Sequence, residues 1–481
     1  MLARILPVFL LAGVGCAAAS AQQASPAKPN ILLIVSDDAG WADFGFHGAA
    51  DGFTPRLDQL ATQGVVCEQA YVSASVCCPS RAGLMTGRYQ QRFGHEFNGP
   101  GKPEPGFVQA DMGLAREERT LASLLRARGY ATAAMGKWHL GSEPGLRPRE
   151  RGFEHWFGFL GGSRSYFSIG SPNLARQLQN DDQIVPEDQI VYLTDTLADH
   201  AAEYVRKQAE DPRPFFLYLA FNAPHTPMHA LEADLAHFAH IGNKRRRQYA
   251  AMLYAMDRGI GRVLDALEDS GQSKRTLVIF LNDNGGATNN GSSSGTWRGR
   301  KGSKWEGGLR VPLILKWPDQ IAAGTRYPSM VSSLDLAPTL LAAAGKALQT
   351  DSERSEPFAA FDGVDLLPSL RAFNASGPHS SPHSSLFWRR GVAAALREGP
   401  WKLVRVDTLM PQLMHLERDA SEMTNFAAEE PERVRRMLLA LVRWESELAA
   451  PRWTEGPTWA KNQLRKHSPE VDTRAEEEQF P

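Results

Sequence analysis

The chain has 481 residues, 42% of them hydrophobic and 22% charged, with a formal net charge of −1. This is ordinary globular composition, and the balanced charge excludes any overall pull toward nucleic acid or membrane. A chain of this length is long for one core, so two structural units are expected.

The first residues are not part of a fold. Arg4 precedes an apolar run over 5–14, and Ala19-Ser20-Ala21 supplies a small-residue cleavage site, so 1–21 is expected to be a signal peptide and the mature chain exported, periplasmic or secreted. Cys16, after Gly13-Val14-Gly15, offers lipid attachment as the alternative, and only then a membrane partner. The run is too short to span a bilayer, and no later stretch qualifies. A polar linker, 22–29, follows. Residues 30–36 then form a continuous apolar run that ends in Asp37-Asp38. That pattern predicts a central parallel strand with polar groups at its C-terminal end, where open α/β sheets collect ligands. Alone, the two acids fit a helix cap as well as a metal site.

Thr54-Pro55 opens a helix toward Gly64. Residues 75–87 read as a tight entry and a short helix, with Pro79 in the first turn and Gly87 as a left-handed cap. Cys77 is expected just ahead of that helix, where its thiol would be acidified; a buried small hydrophobe is the plainer alternative. Thr120 caps a helix over 121–128, and 130–135 is a short strand running into Gly136-Lys137-Trp138-His139-Leu140-Gly141. If that end stays extended, Lys137 and His139 point to one face. The aromatic stretch 152–167 reads as a loop over the site, with Ser163 a candidate polar contact.

A helix over 194–209 precedes a buried strand, 214–221, which delivers Asn222-Ala-Pro-His225-Thr-Pro227 in a stiff loop. The clearest helix covers 248–268. Strand 276–281 ends in Asn282-Asp283-Asn284-Gly285-Gly286, a turn signal by itself and a counterpart of Asp37-Asp38 in company. Lys301 precedes Gly-x-x-Trp305-Glu-Gly-Gly308, where glycines allow close backbone approach to an anion; Lys304 is additional. A strand over 311–315 and a helix over 332–344 follow. Residues 346–384 read as a linker or insertion. Short antiparallel strands at 392–397, 401–406 and 413–416 with a helix over 431–448 suggest a small α+β unit, 385–462, before a polar tail, 463–481. Of the four cysteines, Cys67 and Cys78 could pair in an oxidising compartment, a point that spacing does not decide.

The string Cys77-x-Pro79-Ser80-Arg81, completed by Leu84-Met85-Thr86-Gly87, resembles the signature of the formylglycine-dependent sulfatases of the alkaline phosphatase-like superfamily. The hexapeptide from Gly136 and the segment around Lys301 match two further motifs of that family, strongly over 30–318 and loosely at Trp401-Lys402-Leu403-Val404. The resemblance implies a large, mixed, mostly parallel sheet sandwiched by helices over 28–345, with a C-terminal unit built on an antiparallel sheet. It implies a formylglycine made from Cys77 by a formylglycine-generating or anaerobic sulfatase-maturating enzyme. Its hydrated gem-diol attacks sulfur, and its second hydroxyl releases sulfate. Asp37, Asp38, Asp283 and Asn284, with modified Cys77, would hold one Ca²⁺, or Mg²⁺, since both take hard oxygen ligands. Arg81 would orient the gem-diol, Lys137 and Lys301 would bind sulfate, His139 would be the base for aldehyde regeneration, and His225 would bind sulfate and protonate the leaving oxygen. The implied substrate is a sulfated carbohydrate. A phosphate or phosphonate monoester hydrolase of the same superfamily and a non-catalytic binder of sulfated glycans are the alternatives.

Overall fold

The computed structural model describes residues 28–49, 51, 53–99, 105–170, 173–345, 360–373 and 381–468. The expected signal peptide, Cys16 and the end of the polar tail lie outside them. Ten strands form one sheet: β1 (Asn30–Ser36), β2 (Val65–Tyr71), β3 (Ala131–Lys137), β4 (His155–Phe159), β5 (Gln179–Asn180), β6 (Gln183–Ile184), β7 (Phe215–Ala220), β8 (Thr276–Asn282), β9 (Leu313–Lys316) and β10 (Thr325–Ser332). Their order is β10-β2-β9-β8-β1-β7-β3-β4-β5-β6. The run β8-β1-β7-β3-β4 is wholly parallel, and β9 enters antiparallel between β8 and β2. The mixed, mostly parallel sheet expected from the sequence is present.

Strand periodicity explains the two helical layers. Leu32 and Ile34 of β1 pack on one face with α1 (Pro55–Thr62), α4 (Leu193–Gln208) and α6 (Lys244–Asp269). Ile31, Leu33 and Val35 face the other side, against α2 (Cys77–Thr86), α3 (Leu121–Arg126), α8 (Leu336–Ala343) and α9 (Leu367–Ala372). Two short helices, α5 (Glu232–His237) and α7 (Glu306–Leu309), complete the unit. Thr120 caps α3 as expected, its side chain accepting from Ser123 N. Gly87 closes α2 at φ 65.

Several elements differ from expectation. The aromatic stretch after Gly152 is not all loop: it contains β4, buried beside β3. Strands β2 and β10 arise where no strand was read, paired to each other at the far edge. Part of the expected linker folds as α9, because Leu366, Leu367 and Leu370 bury against the core.

The C-terminal unit is a four-stranded antiparallel sheet, β11 (Ser385–Arg390), β12 (Ala393–Glu398), β13 (Trp401–Val406) and β14 (Gln412–His415), with α10 (Pro431–Glu445) and α11 (Pro457–His467). Helix α11 carries ordered chain beyond residue 462. His467 is fully buried and accepts from Lys304 N at 2.8 Å, which ties this helix to the large unit. Among the described residues, no helix is long and apolar enough to cross a membrane.

Candidate active site

Strand register assembles the site. Val35 pairs with Ala220, Ala220 with Gly136, and Ser36 with Asn282. The residues that follow, Asp37, Lys137 and Asp283, therefore leave the sheet side by side at one edge. Asp37, Asp38, Lys137, Asp283 and Asn284 are all buried. Asp38 takes φ 65, a left-handed turn that acidic residues tolerate better than most.

Helix α2 starts at Cys77 itself rather than just after it, with Pro79 in its first turn as expected, and Cys77 is 1% exposed. Its Sγ lies 3.0 Å from Lys301 Nζ and 3.6 Å from Asp37 Oδ1. The acidified thiol expected from the helix N-terminus is not what the fold makes. Burial pushes the Cys77 thiol up to about 12, with Lys137 and Lys301 opposing the rise. Cys67, Cys77 and Cys78 are all free, so the open pairing of Cys67 with Cys78 is resolved against a disulfide. Cys78 Sγ meets His95 Nε2 at 2.9 Å instead.

Three cations interleave with three carboxylates. Arg81 Nε donates to Asp283 Oδ2 at 2.9 Å, and its Nη1 to Lys137 O at 3.0 Å. Lys137 Nζ pairs with Asp37. Lys301 Nζ pairs with Asp38 at 2.6 Å, and Asn284 Nδ2 donates to Asp38 Oδ1 at 2.7 Å. Burial works against each of these charges. Lys301, His225 and Lys137 nevertheless hold the Asp38 carboxyl well below its ordinary range, while Asp37 helps burial push Asp283 up to about 6.

The histidines differ in setting. His225 Nδ1 donates to Thr226 O at 2.6 Å, which leaves Nε2, 3.5 Å from Asp38 Oδ2, without the ring proton. Burial pulls its pKa down to about 4. Strand β3 continues through Gly136, at φ 104, to Lys137, and the extended run expected to carry both Lys137 and His139 ends short of His139, which sits at φ 59. Burial, then Lys137 and Arg81, hold His139 neutral, and its Nδ1 is buried without a hydrogen-bond partner. A Cβ at Gly162 would stand 2.5 Å from His139 Nε2, so the loop carrying half-buried Ser163 lies directly on the imidazole.

One oxygen or sulfur from each of Asp37, Asp38, Cys77 and Asp283 falls within 4.8 Å of the others. Asp283 Oδ1 and Asn284 Oδ1 are buried with no hydrogen-bond partner. Buried, convergent and unsatisfied oxygens fit a hard divalent cation.

Supporting residues were not read from the sequence. Asn290 Nδ2 donates to Asp38 O at 2.9 Å and Pro224 O at 3.3 Å, joining the acid loop to the His225 loop. Tyr166 OH donates to Asn222 O and His225 O. Lys402, buried, bridges Glu306 at 2.9 Å and Glu422 at 2.8 Å. It thereby anchors the segment after Lys301 to the C-terminal unit. Asn290 lies in a polar turn-like stretch and Tyr166 in an aromatic one, so neither carried a signal.

Residues 29–346 match the family model for sulfatases. This chain belongs to the sulfatase family. It is similar to N-acetylgalactosamine-6-sulfatase of Canis lupus familiaris, with 34% identity over 381 residues covering 76% of this chain and 69% of the relative. Similarity to arylsulfatase A of Bos taurus reaches 36% over 416 residues, 80% of this chain and 76% of the relative. The crystal structure of Ps i-CgsB in complex with k-i-k-neocarrahexaose superposes with a TM-score of 0.81 at 35% identity, covering 92% of this chain and 98% of that one. The sulfatase fold is that of the alkaline phosphatase-like superfamily, and the activity is hydrolysis of a sulfuric ester.

Proposed function

We propose that this sulfatase is exported and hydrolyses the sulfate ester of a sulfated carbohydrate, with Cys77 matured to formylglycine and Ca²⁺ held at the strand ends. The observation that carries the reading is the position of Cys77, packed between Lys301 Nζ and three buried carboxylates. Carbohydrate as substrate is supported by the names of two similar proteins, one acting on N-acetylgalactosamine 6-sulfate and one crystallised with k-i-k-neocarrahexaose. Export rests on the sequence pattern of residues 1–21.

Asp37, Asp38, Asp283 and Asn284 would hold the ion, which supplies positive charge to the ester oxygens and to the nucleophile. Hydrated formylglycine supplies that nucleophile and the route by which sulfate leaves. The chain's own groups do the rest. Lys137 and Lys301 stay charged and offer N–H donors to sulfate oxygens as negative charge moves toward the leaving group. Arg81, locked on Asp283 and the Lys137 carbonyl, holds the nucleophile's surroundings rigid. His225 presents Nε2 to the cavity; a sulfate beside it favours the protonated ring, which then donates to the leaving oxygen. His139, kept neutral by burial, is suited to accept a proton.

The test is sulfate release from sulfated oligosaccharides by protein co-produced with a maturase, against Cys77→Ala. Release confined to the matured wild type supports the reading. Preferential release of phosphate from phosphate or phosphonate esters would favour the other branch of the superfamily, and binding without turnover would favour a glycan binder.

A further inference from the structure

Lys301 owes its place to a closed loop. At the base, Gly307 N donates to Arg298 O at 2.8 Å, and the backbones lie so close that a Cβ at Gly307 would collide with Gly299 O. At the tip, Lys301 N donates to Gly286 O at 2.9 Å and Gly302 N to Ser75 O at 2.7 Å, beside the Cys77 helix. Lys301 then lines a cavity of about 270 Å³ together with Asp38 and His225, and Lys466 of α11 stands on its wall.

One residue of the C-terminal unit grips the base of this loop. Glu422 lies between β14 and α10, is 1% exposed and sits at φ 55. A residue other than glycine keeps that left-handed conformation only where its surroundings hold it. The Glu422 carboxylate accepts from Glu306 N at 2.6 Å, and its carbonyl accepts from Arg298 Nη1 at 2.9 Å. Arg298 precedes Lys301 and Glu306 follows it, so a single residue holds both ends. Lys402 Nζ, 2.8 Å from Glu422 Oε1 and 2.9 Å from Glu306 Oε1, fixes the two carboxylates relative to each other. The Glu306 side chain is fixed further by Tyr71, whose hydroxyl donates to Oε2 at 2.6 Å, and by Arg310.

We propose that Glu422 is a positioning residue for sulfate ester hydrolysis: by holding both ends of the loop, it places the Lys301 ammonium against Cys77 and Asp38. The inference rests on the reading that Lys301 binds the sulfate being cleaved. It gives the C-terminal unit a part in turnover with no side chain at the reacting atoms. A backbone N–H bonded to a carboxylate is a charge-assisted contact, stronger than its neutral counterpart. Its loss frees the loop to shift, and a small displacement of an oriented group is enough to slow a reaction.

The test is a double-mutant cycle on kcat/KM for one accepted sulfate ester, per mole of protein whose Cys77 peptide bears the aldehyde. Glu422→Ala should lower kcat/KM roughly tenfold, the scale of one charge-assisted contact. Glu422→Gln, whose amide oxygen can still accept from Glu306 N, should recover most of that loss. In a Lys301→Ala background, Glu422→Ala should change kcat/KM by no more than about twofold, because no ammonium remains to be placed. Glu422→Asp keeps the charge near Lys402 but shortens the reach to Glu306 N, and it repeats the cycle if the alanine variant does not fold. An equal loss in both backgrounds would mark general support of the fold and overturn the proposal. Wild-type kcat/KM in Glu422→Ala would overturn it too, and either result leaves the sulfatase reading intact. Undiminished activity in Lys301→Ala would count against the underlying reading instead.

Discussion

Lys301 Nζ stands 3.0 Å from Cys77 Sγ while pairing with Asp38. One ammonium therefore touches both the residue proposed to become the nucleophile and a metal-binding candidate. Lys301→Ala should lower kcat/KM by roughly 10²–10³, the range seen when one oriented donor to developing charge is removed. Steady-state kinetics with any accepted sulfate ester checks this. A loss confined to KM would assign Lys301 to binding shared equally by the ground and transition states.

His139 should separate the two halves of the reaction. Its ring is neutral and its Nδ1 unpartnered, so it is suited to the proton transfer that frees the enzyme rather than to leaving-group departure. His139→Ala is expected to release about one equivalent of alcohol per active site, then slow by roughly 10²–10⁴. Rapid-quench measurement of alcohol and sulfate reads both phases. Slow release with no burst would place His139 in the first half.

Maturation should require an unfolded chain. Cys77 is 1% exposed, begins α2, and its thiol is held protonated by burial. A maturase added to folded, unmodified protein should leave Cys77 unconverted, while a peptide spanning 70–90 is converted. Peptide mass spectrometry distinguishes the outcomes, and efficient conversion of the folded protein would contradict the burial argument.

Lys304 gives a pH signature. Burial lowers its amine from an ordinary 10.5 to about 7, so its folded-state pKa lies below its unfolded one. Lys304 costs the fold nothing above about 10.5, and the cost grows as pH falls toward 7, at up to about 1.4 kcal/mol per pH unit. Lys304→Met removes this dependence. The variant should gain stability relative to wild type from pH 10 to pH 7 in parallel thermal melts, and a constant difference across that range would refute it.

Removal of the ion should be visible in stability as well as in turnover. Asp37, Asp38 and Asp283 are buried together, and a cation that binds only the folded state stabilises it by mass action. A chelator should lower both Tm and activity. Re-addition of Ca²⁺ or Mg²⁺ then ranks the two ions.

The central sheet and the catalytic edge were readable because continuous apolar runs ended in polar or charged residues. Residues 30–36, 214–221 and 276–281 behave that way, and parallel register brings their ends together. Strand β2, with a glutamate and a glutamine in its middle, and the short β4 lack the uniform apolar texture of the others. Burial of Cys77 was legible only as the alternative reading, since a helix N-terminus lowers a thiol's pKa while apolar burial raises it, and the sequence does not weigh the two. The contribution of α11 was hidden for a related reason: its polar composition suits a tail, and only the packing of His467 under Lys304 reveals a wall of the cavity.

The most direct test of the account is sulfate release by matured wild type from a panel of sulfated oligosaccharides, with Cys77→Ala and peptide mass analysis alongside. The account predicts release from at least one member, carried by protein whose Cys77 peptide bears the aldehyde and absent from the variant. Equal turnover by Cys77→Ala, or no release by protein shown to carry the aldehyde, would contradict it.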